Sequence, residues 1–149
     1  MSIEDELKGR FRNEYHKGLI NLHFTSKLLI YSFEKTLKQH KITEPQYNIL
    51  KVLRGNISEG PLSIGFLKER MLDKNSDVSR IIDKLLTKNL IKRAENPIDR
   101  RQKNIEISES GLSLLGNMDS CELKVDALLS KLNETEIKEL NRLLDKIRE

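Results

Sequence analysis

The sequence predicts a mainly α-helical fold containing one short β-hairpin, an α+β arrangement, and three observations carry that expectation. Apolar residues recur at three- and four-residue intervals over most of the chain. Charged residues reach 34% while aromatics stay at 5% with no Trp, which suits solvated helical faces better than an aromatic-rich β-sandwich. Strand-like runs are confined to residues 90–94 and 104–108. With 149 residues the chain can bury a core without cross-links. Its one cysteine, Cys121, cannot form an intrachain disulfide, which points to a reducing, cytoplasmic setting. The acidic start, Ser2 to Glu6, lacks the apolar stretch of a signal peptide, and no segment approaches the ~18 apolar residues of a membrane span.

The elements follow in order. Leu19, Leu22, Ser26, Leu29, Phe33 and Leu37, widened by Ile30, form the stripe of an amphipathic helix that ends near His40. Ser2 and Asp5 have capping-box spacing, so helix is expected almost from the N-terminus. Thr43 and Gln46 repeat that pattern, Pro45 is tolerated in a first turn, and Ile42 can staple onto Tyr47, which sets the start of a second helix. Ile49, Leu50 and Leu53 continue its apolar face, Gly55 is expected to stop it, and residues 56–61 have loop composition. Ser63 can cap a short helix over about 64–71. After a polar turn at 72–75 a further helix spans about 75–88, burying Val78, Ile81, Ile82 and Leu85. Two helices across a tight turn make a helix-turn-helix pattern.

Asn89 accepts the left-handed conformation that a sharp helix exit needs. The two strand-like runs then flank Glu95 to Lys103, a charged loop too long for a tight hairpin turn, and together they read as a β-wing. Ser108 can cap a fifth main helix carrying Leu112, Leu115, Met118, Val125, Leu128, Leu129 and Leu132. Asn133 or Thr135 can cap a last helix with Ile137, Leu140, Leu143, Leu144 and Ile147 on one face.

The formal charge of +4 is unevenly placed. From Lys74 to Lys103 there are nine basic residues against four acidic ones, so this stretch exceeds the whole chain in net charge and has the footprint of a polyanion-binding face. With Val78, Ile82 and Leu85 buried, the outer face of the second helix of the pair presents Ser76, Ser79, Arg80, Asp83 and Lys84. An arginine there can donate bidentately to guanine O6 and N7, while serine and lysine serve bases or phosphates, so Arg80 is the first candidate reader and Ser76, Ser79 and Lys84 its companions.

Four segments, Val78-Ser79-Arg80-Ile81-Ile82-Asp83-Lys84-Leu85, Lys88-Asn89-Leu90-Ile91-Lys92-Arg93, Pro97-x-Asp99-Arg100-Arg101 and Ile105-x-Ile107-Ser108-x-x-Gly111, resemble the MarR family of bacterial regulators. The match covers the whole winged-helix portion. Asn89 departs from the family's usual Gly but meets the same backbone need, and the turn from Leu72 to Ser76 is slightly longer than the family's. The resemblance implies a winged helix-turn-helix transcription regulator, of repressor type and effector-responsive, that binds double-stranded DNA. It places Arg100 and Arg101 where the family inserts an arginine into the minor groove, with Asp99 as a brace for a neighbouring arginine.

The expected organisation is an N-terminal helical dimerisation segment (1–40), a winged helix-turn-helix DNA-binding domain (41–108) and C-terminal dimerisation helices (109–149). The terminal helices have more apolar face than a winged helix can cover. A two-fold homodimer would cover it and set two recognition helices about one DNA turn apart on a pseudo-palindromic operator. His16 and His23, seven apart on one helix, and Tyr47 on the next form a candidate cleft for a small-molecule effector.

No metal is expected, because the three histidines all lie in the first 40 residues with no thiolate nearby. Family members that sense peroxide carry a reactive cysteine in the N-terminal helix region, where this chain has none, and Cys121 reads as an inert packing or surface thiol. No cofactor is expected. The sequence holds no Gly-rich phosphate loop, nucleophile elbow or His-x-x-x-His pair, which argues against an enzyme. The alternative is a winged helix that contacts protein or RNA without selective duplex binding.

Overall fold

The computed structural model describes every residue except Asn96, Pro97, Arg100 and Gln102. In chain order its elements are α1 (Ile3–Leu7), α2 (Glu14–Gln39), α3 (Glu44–Gly55), β1 (Leu62–Ser63), α4 (Ile64–Glu69), α5 (Val78–Thr87), β2 (Ile91–Glu95), β3 (Lys103–Ile107), α6 (Glu109–Leu129) and α7 (Glu134–Arg148), with a 3-10 turn at Ile57–Glu59. This is the expected mainly helical winged-helix fold.

Capping chemistry places most helix starts. Full capping boxes close on Ser2 with Asp5, Thr43 with Gln46 and Asn133 with Glu136, so Asn133 rather than Thr135 opens α7. Each such cap is worth ~1 kcal/mol, because it satisfies amide donors that a helix start otherwise leaves to water. Helix does begin at Ile3, but it lasts five residues: Lys8 turns left-handed (φ 50) beside Gly9, and the chain re-enters helix only where Asn13 Oδ1 accepts the His16 N–H at 2.8 Å. α3 ends at Gly55 as expected, and Asn56 caps it, its N–H and side-chain amide both donating to the Val52 carbonyl, at 3.2 and 2.8 Å.

The second helix of the pair starts later than residue 75. Asp73 folds the preceding turn by accepting the Asn75 N–H at 2.9 Å, and the Asp77 carboxylate then caps α5 by accepting the Arg80 N–H at 3.2 Å. At the far end Asn89 adopts φ 58, the left-handed exit its side chain tolerates. Ser108 caps α6, its Oγ accepting the Gly111 N–H at 3.1 Å.

β1 was not anticipated, since two residues cannot display alternation. It adds Leu62 opposite Ile105 on β3, giving an antiparallel sheet of order β1-β3-β2. On the other edge Ile91 pairs with Ile107 and Arg93 with Ile105.

The chain forms two compact units, one of Met1–Lys35 with Glu122–Glu149 and one of Thr36–Cys121. In the second unit α3 packs on α5 and β3, α4 packs on α5, and the core is filled by Ile49, Leu50, Leu67, Ile82, Leu85, Ile105, Leu115 and Met118. The first unit is built from helices alone. Lys17 pairs with Glu4 at 2.5 Å, and Ile3 is buried, yet Leu19, Leu28, Leu123, Leu143 and Ile147 remain exposed.

Candidate nucleic-acid interface

The face that could meet a polyanion is built on α5. Its strongly one-sided apolar pattern sinks Val78, Ile82 and Leu85, each at most 2% exposed, and so turns Ser79, Arg80, Asp83 and Lys84 to solvent. The acids that could neutralise this face are engaged elsewhere. Asp77 caps the helix, and Asp83 lies 3.4 Å from the Arg93 guanidinium on β2. Arg80 and Lys84 therefore stand exposed with no ion pair to a described residue.

Ser76 requires a correction. It lies before the helix cap, not on the outer face of α5, and its Oγ is buried without a hydrogen-bond partner among the described residues. The displaced helix start is the reason, since a residue before the cap follows the turn and not the helix.

In the wing, β2 and β3 carry Lys92 against Glu106 at 3.5 Å on the face opposite the core. Asp99 Oδ1 accepts the Arg101 N–H at 2.9 Å, a bond to the backbone, and Arg101 is exposed. Arg100 lies outside the described residues. Between α5 and the wing sits a small cleft of about 180 Å³, bordered by Ser79, Asp83, Arg93 and Lys103. Arg93 and Lys103 belong to the basic segment, but charge alone does not single them out. What could have found them is the pleat, which sets Arg93 opposite Ile105 and Lys103 opposite Glu95.

The three effector candidates have separate surroundings. His16 folds back onto its own connection: its Nδ1 accepts the Arg12 N–H at 3.2 Å and its ring meets Phe11 edge to face at 5.7 Å. His23 lines an apolar groove of about 480 Å³ in the first unit with Leu7, Ile20, Phe24, Lys27 and Tyr31, and His16 does not line it. Tyr47 is a core residue of the second unit, with the Lys51 ammonium 6.0 Å from its ring centre. Cys121 is half-buried, its Sγ 3.2 Å from Thr36 Oγ1. Among the described residues no group of three His, Cys, Asp or Glu side chains is arranged to hold a metal ion, and no helix is long and apolar enough to cross a membrane.

A short helix, a tight turn, a second helix with a bared basic face and a β-hairpin beside it define the class: this is a winged helix-turn-helix protein. Residues 42–103 match the model of the MarR family. It is 28% identical over 117 residues to the HTH-type transcriptional regulator MgrA of Staphylococcus aureus, covering 78% of this chain and 77% of that protein. In three dimensions it is similar to the S. aureus MepR–DNA complex, with a TM-score of 0.76 and 25% identity over 93% of this chain and 97% of that one. It shares its fold with AbsC of Streptomyces coelicolor, at a TM-score of 0.76 and 23% identity over 94% and 96% of the two chains.

Proposed function

We propose that this protein is a cytoplasmic transcription regulator that binds double-stranded DNA selectively, as a homodimer on a pseudo-palindromic operator, and acts as a repressor under the control of a small-molecule effector. The observation that carries this reading is the exposure of Arg80 and Lys84 on the outer face of α5, with the acids of that helix turned to other work. An exposed arginine on a rigid helix is preorganised for bidentate donation to guanine, worth ~1 to 3 kcal/mol of discrimination per good contact. Ser79 and Lys84 would serve neighbouring bases or phosphates. Arg100 and Arg101 would enter the minor groove, where narrow width and negative potential attract guanidinium groups. The relatives support the reading by what they are: MgrA is named a transcriptional regulator, and MepR was solved on DNA.

The exposed apolar residues of the first unit supply a reason to pair, so residues 1–40 and 109–149 are assigned to dimerisation and 41–108 to DNA binding. The apolar groove around His23 is the place we assign to an effector, while His16 and Tyr47 are occupied in local packing.

Selection of the purified protein against a random duplex library tests the reading, followed by titration of the selected site with wild type and Arg80→Ala. Enrichment of an inverted repeat, bound by two subunits and weakened by the substitution, is the expected result. Enrichment of no duplex at moderate salt would transfer the winged helix to a protein or RNA partner.

A further inference from the structure

We infer that Lys88 is a positioning residue for operator reading: its ammonium ties the end of α5 to the corner between α2 and α3, and so sets the orientation in which α5 is presented. The inference rests on the DNA-binding reading above and goes beyond it, because Lys88 is assigned no contact with DNA.

Lys88 follows α5 directly, its own N–H closing the helix on the Lys84 and Leu86 carbonyls. Its side chain leaves the basic face and reaches across the second unit. The Nζ donates to the Lys41 carbonyl at 2.5 Å and to Gln46 Oε1 at 3.1 Å. Both acceptors lie at helix boundaries. Lys41 is the left-handed residue (φ 56) at which α2 ends, beside the Ile42 N–H bond to the Leu37 carbonyl. Gln46 is 3% exposed, and the same Oε1 accepts the Thr43 N–H at 3.1 Å in the capping box that starts α3.

The physical consequence concerns orientation more than stability. The last carbonyls of a helix carry partial negative charge, so a cation there is favourable, and a hydrogen bond with an ionised donor is shorter and stronger than a neutral one. Removing the ammonium leaves Gln46 Oε1 still paired with Thr43 and returns the Lys41 carbonyl to water, so the fold survives. What is lost is a strong polar tether between the C-terminal end of α5 and the end of α2. In a dimer held by its terminal helices, the angle of each α5 decides where two half-sites must lie. Lys88 therefore governs tolerance of half-site spacing and not the number of DNA contacts.

The test titrates full-length wild type, Lys88→Met and Lys88→Arg against the selected inverted repeat and against versions with one base pair added or removed at its centre, each at two salt concentrations. Wild type should discriminate sharply among the three spacings. Lys88→Met should lose most of that discrimination while its salt slope stays as in wild type, and Lys88→Arg, which keeps a long charged donor, should restore it. A phosphate-binding lysine would behave otherwise, its loss lowering the slope by about 1 with spacing preference intact. That outcome, or a wild-type spacing profile in Lys88→Met, overturns the role given to Lys88. If circular dichroism shows Lys88→Met unfolded, Gln46→Glu decides instead: glutamate keeps the capping box, strengthens the tie to Lys88 and should sharpen discrimination, and an unchanged profile overturns the inference. Failure to enrich any duplex overturns the DNA-binding reading itself, a result distinct from all of these.

Discussion

Arg54 on α3 holds Asp119 on α6 by two parallel hydrogen bonds, Nη1 to Oδ2 at 3.2 Å and Nη2 to Oδ1 at 2.9 Å. The residues are 65 apart in sequence, so this clamp belongs to the tertiary structure alone. Both side chains are partly exposed, which keeps the pair's contribution small.

The clamp makes a prediction about pH. The hydrogen bond from Arg54, helped by its charge and that of Lys51, holds the Asp119 carboxyl below its ordinary value of 3.8. A carboxyl whose pKa is depressed by folding adds stability above the unfolded value and loses it as pH falls through the folded one. Thermal melts of wild type and Asp119→Asn should therefore differ by a small constant amount at neutral pH and converge as pH falls below 3.8. A difference that persists unchanged into strong acid would show that the charge contributes nothing.

Arg80 and Arg101 should fail differently. Arg80→Ala should weaken the selected site by roughly ten- to a hundredfold and relax preference at one base position, because a bidentate base contact is lost. Arg101→Ala should weaken all duplexes more evenly and lower the salt slope by about 1. Binding isotherms on matched and single-substituted sites at several salt concentrations distinguish the two.

Gly111 is buried where α6 leaves the sheet, and a Cβ built there lies 2.3 Å from the Leu90 carbonyl oxygen and 2.7 Å from Ile107 Cγ1. That carbonyl is backbone already fixed by the Ser108 N–H at 3.1 Å, so it cannot yield cheaply. Gly111→Ala should cost about 1 to 3 kcal/mol, the range of overpacking in a filled core. Gly116, on the same helix, has nothing within 4 Å of its built Cβ, and Gly116→Ala should stabilise by about 0.5 to 1 kcal/mol. Urea titrations of both variants check the opposite signs.

Asn89 combines a left-handed backbone (φ 58) with a carbonyl that accepts the Ser108 hydroxyl at 2.7 Å. Asn89→Ala should lose ~1 kcal/mol to the Cβ strain of that conformation, whereas Asn89→Gly should remain close to wild type. Equal stability of the two, measured by denaturant unfolding, would show that φ at this position relaxes freely.

By itself the sequence determined what depends on short-range chemistry. Ser2, Thr43, Ser63, Ser108 and Asn133 sit at helix starts because a side-chain oxygen within reach of amides two or three residues on is a local fact. The buried stripe of α5 and the bared Arg80 and Lys84 opposite it follow from helical period, and the left-handed exit at Asn89 follows from side-chain size. Tertiary structure decided the rest. β1 exists only because β3 offers Leu62 and Ser63 a partner. α5 starts only at Val78 because Asp73 folds the turn on the Asn75 N–H and Asp77 caps the helix on the Arg80 N–H, which leaves Ser76 in the turn with its hydroxyl buried. His16 accepts the Arg12 N–H through its Nδ1, and Lys88 reaches Lys41 and Gln46 across more than forty residues. Such pairings depend on where distant segments lie after packing, and no local spacing encodes that.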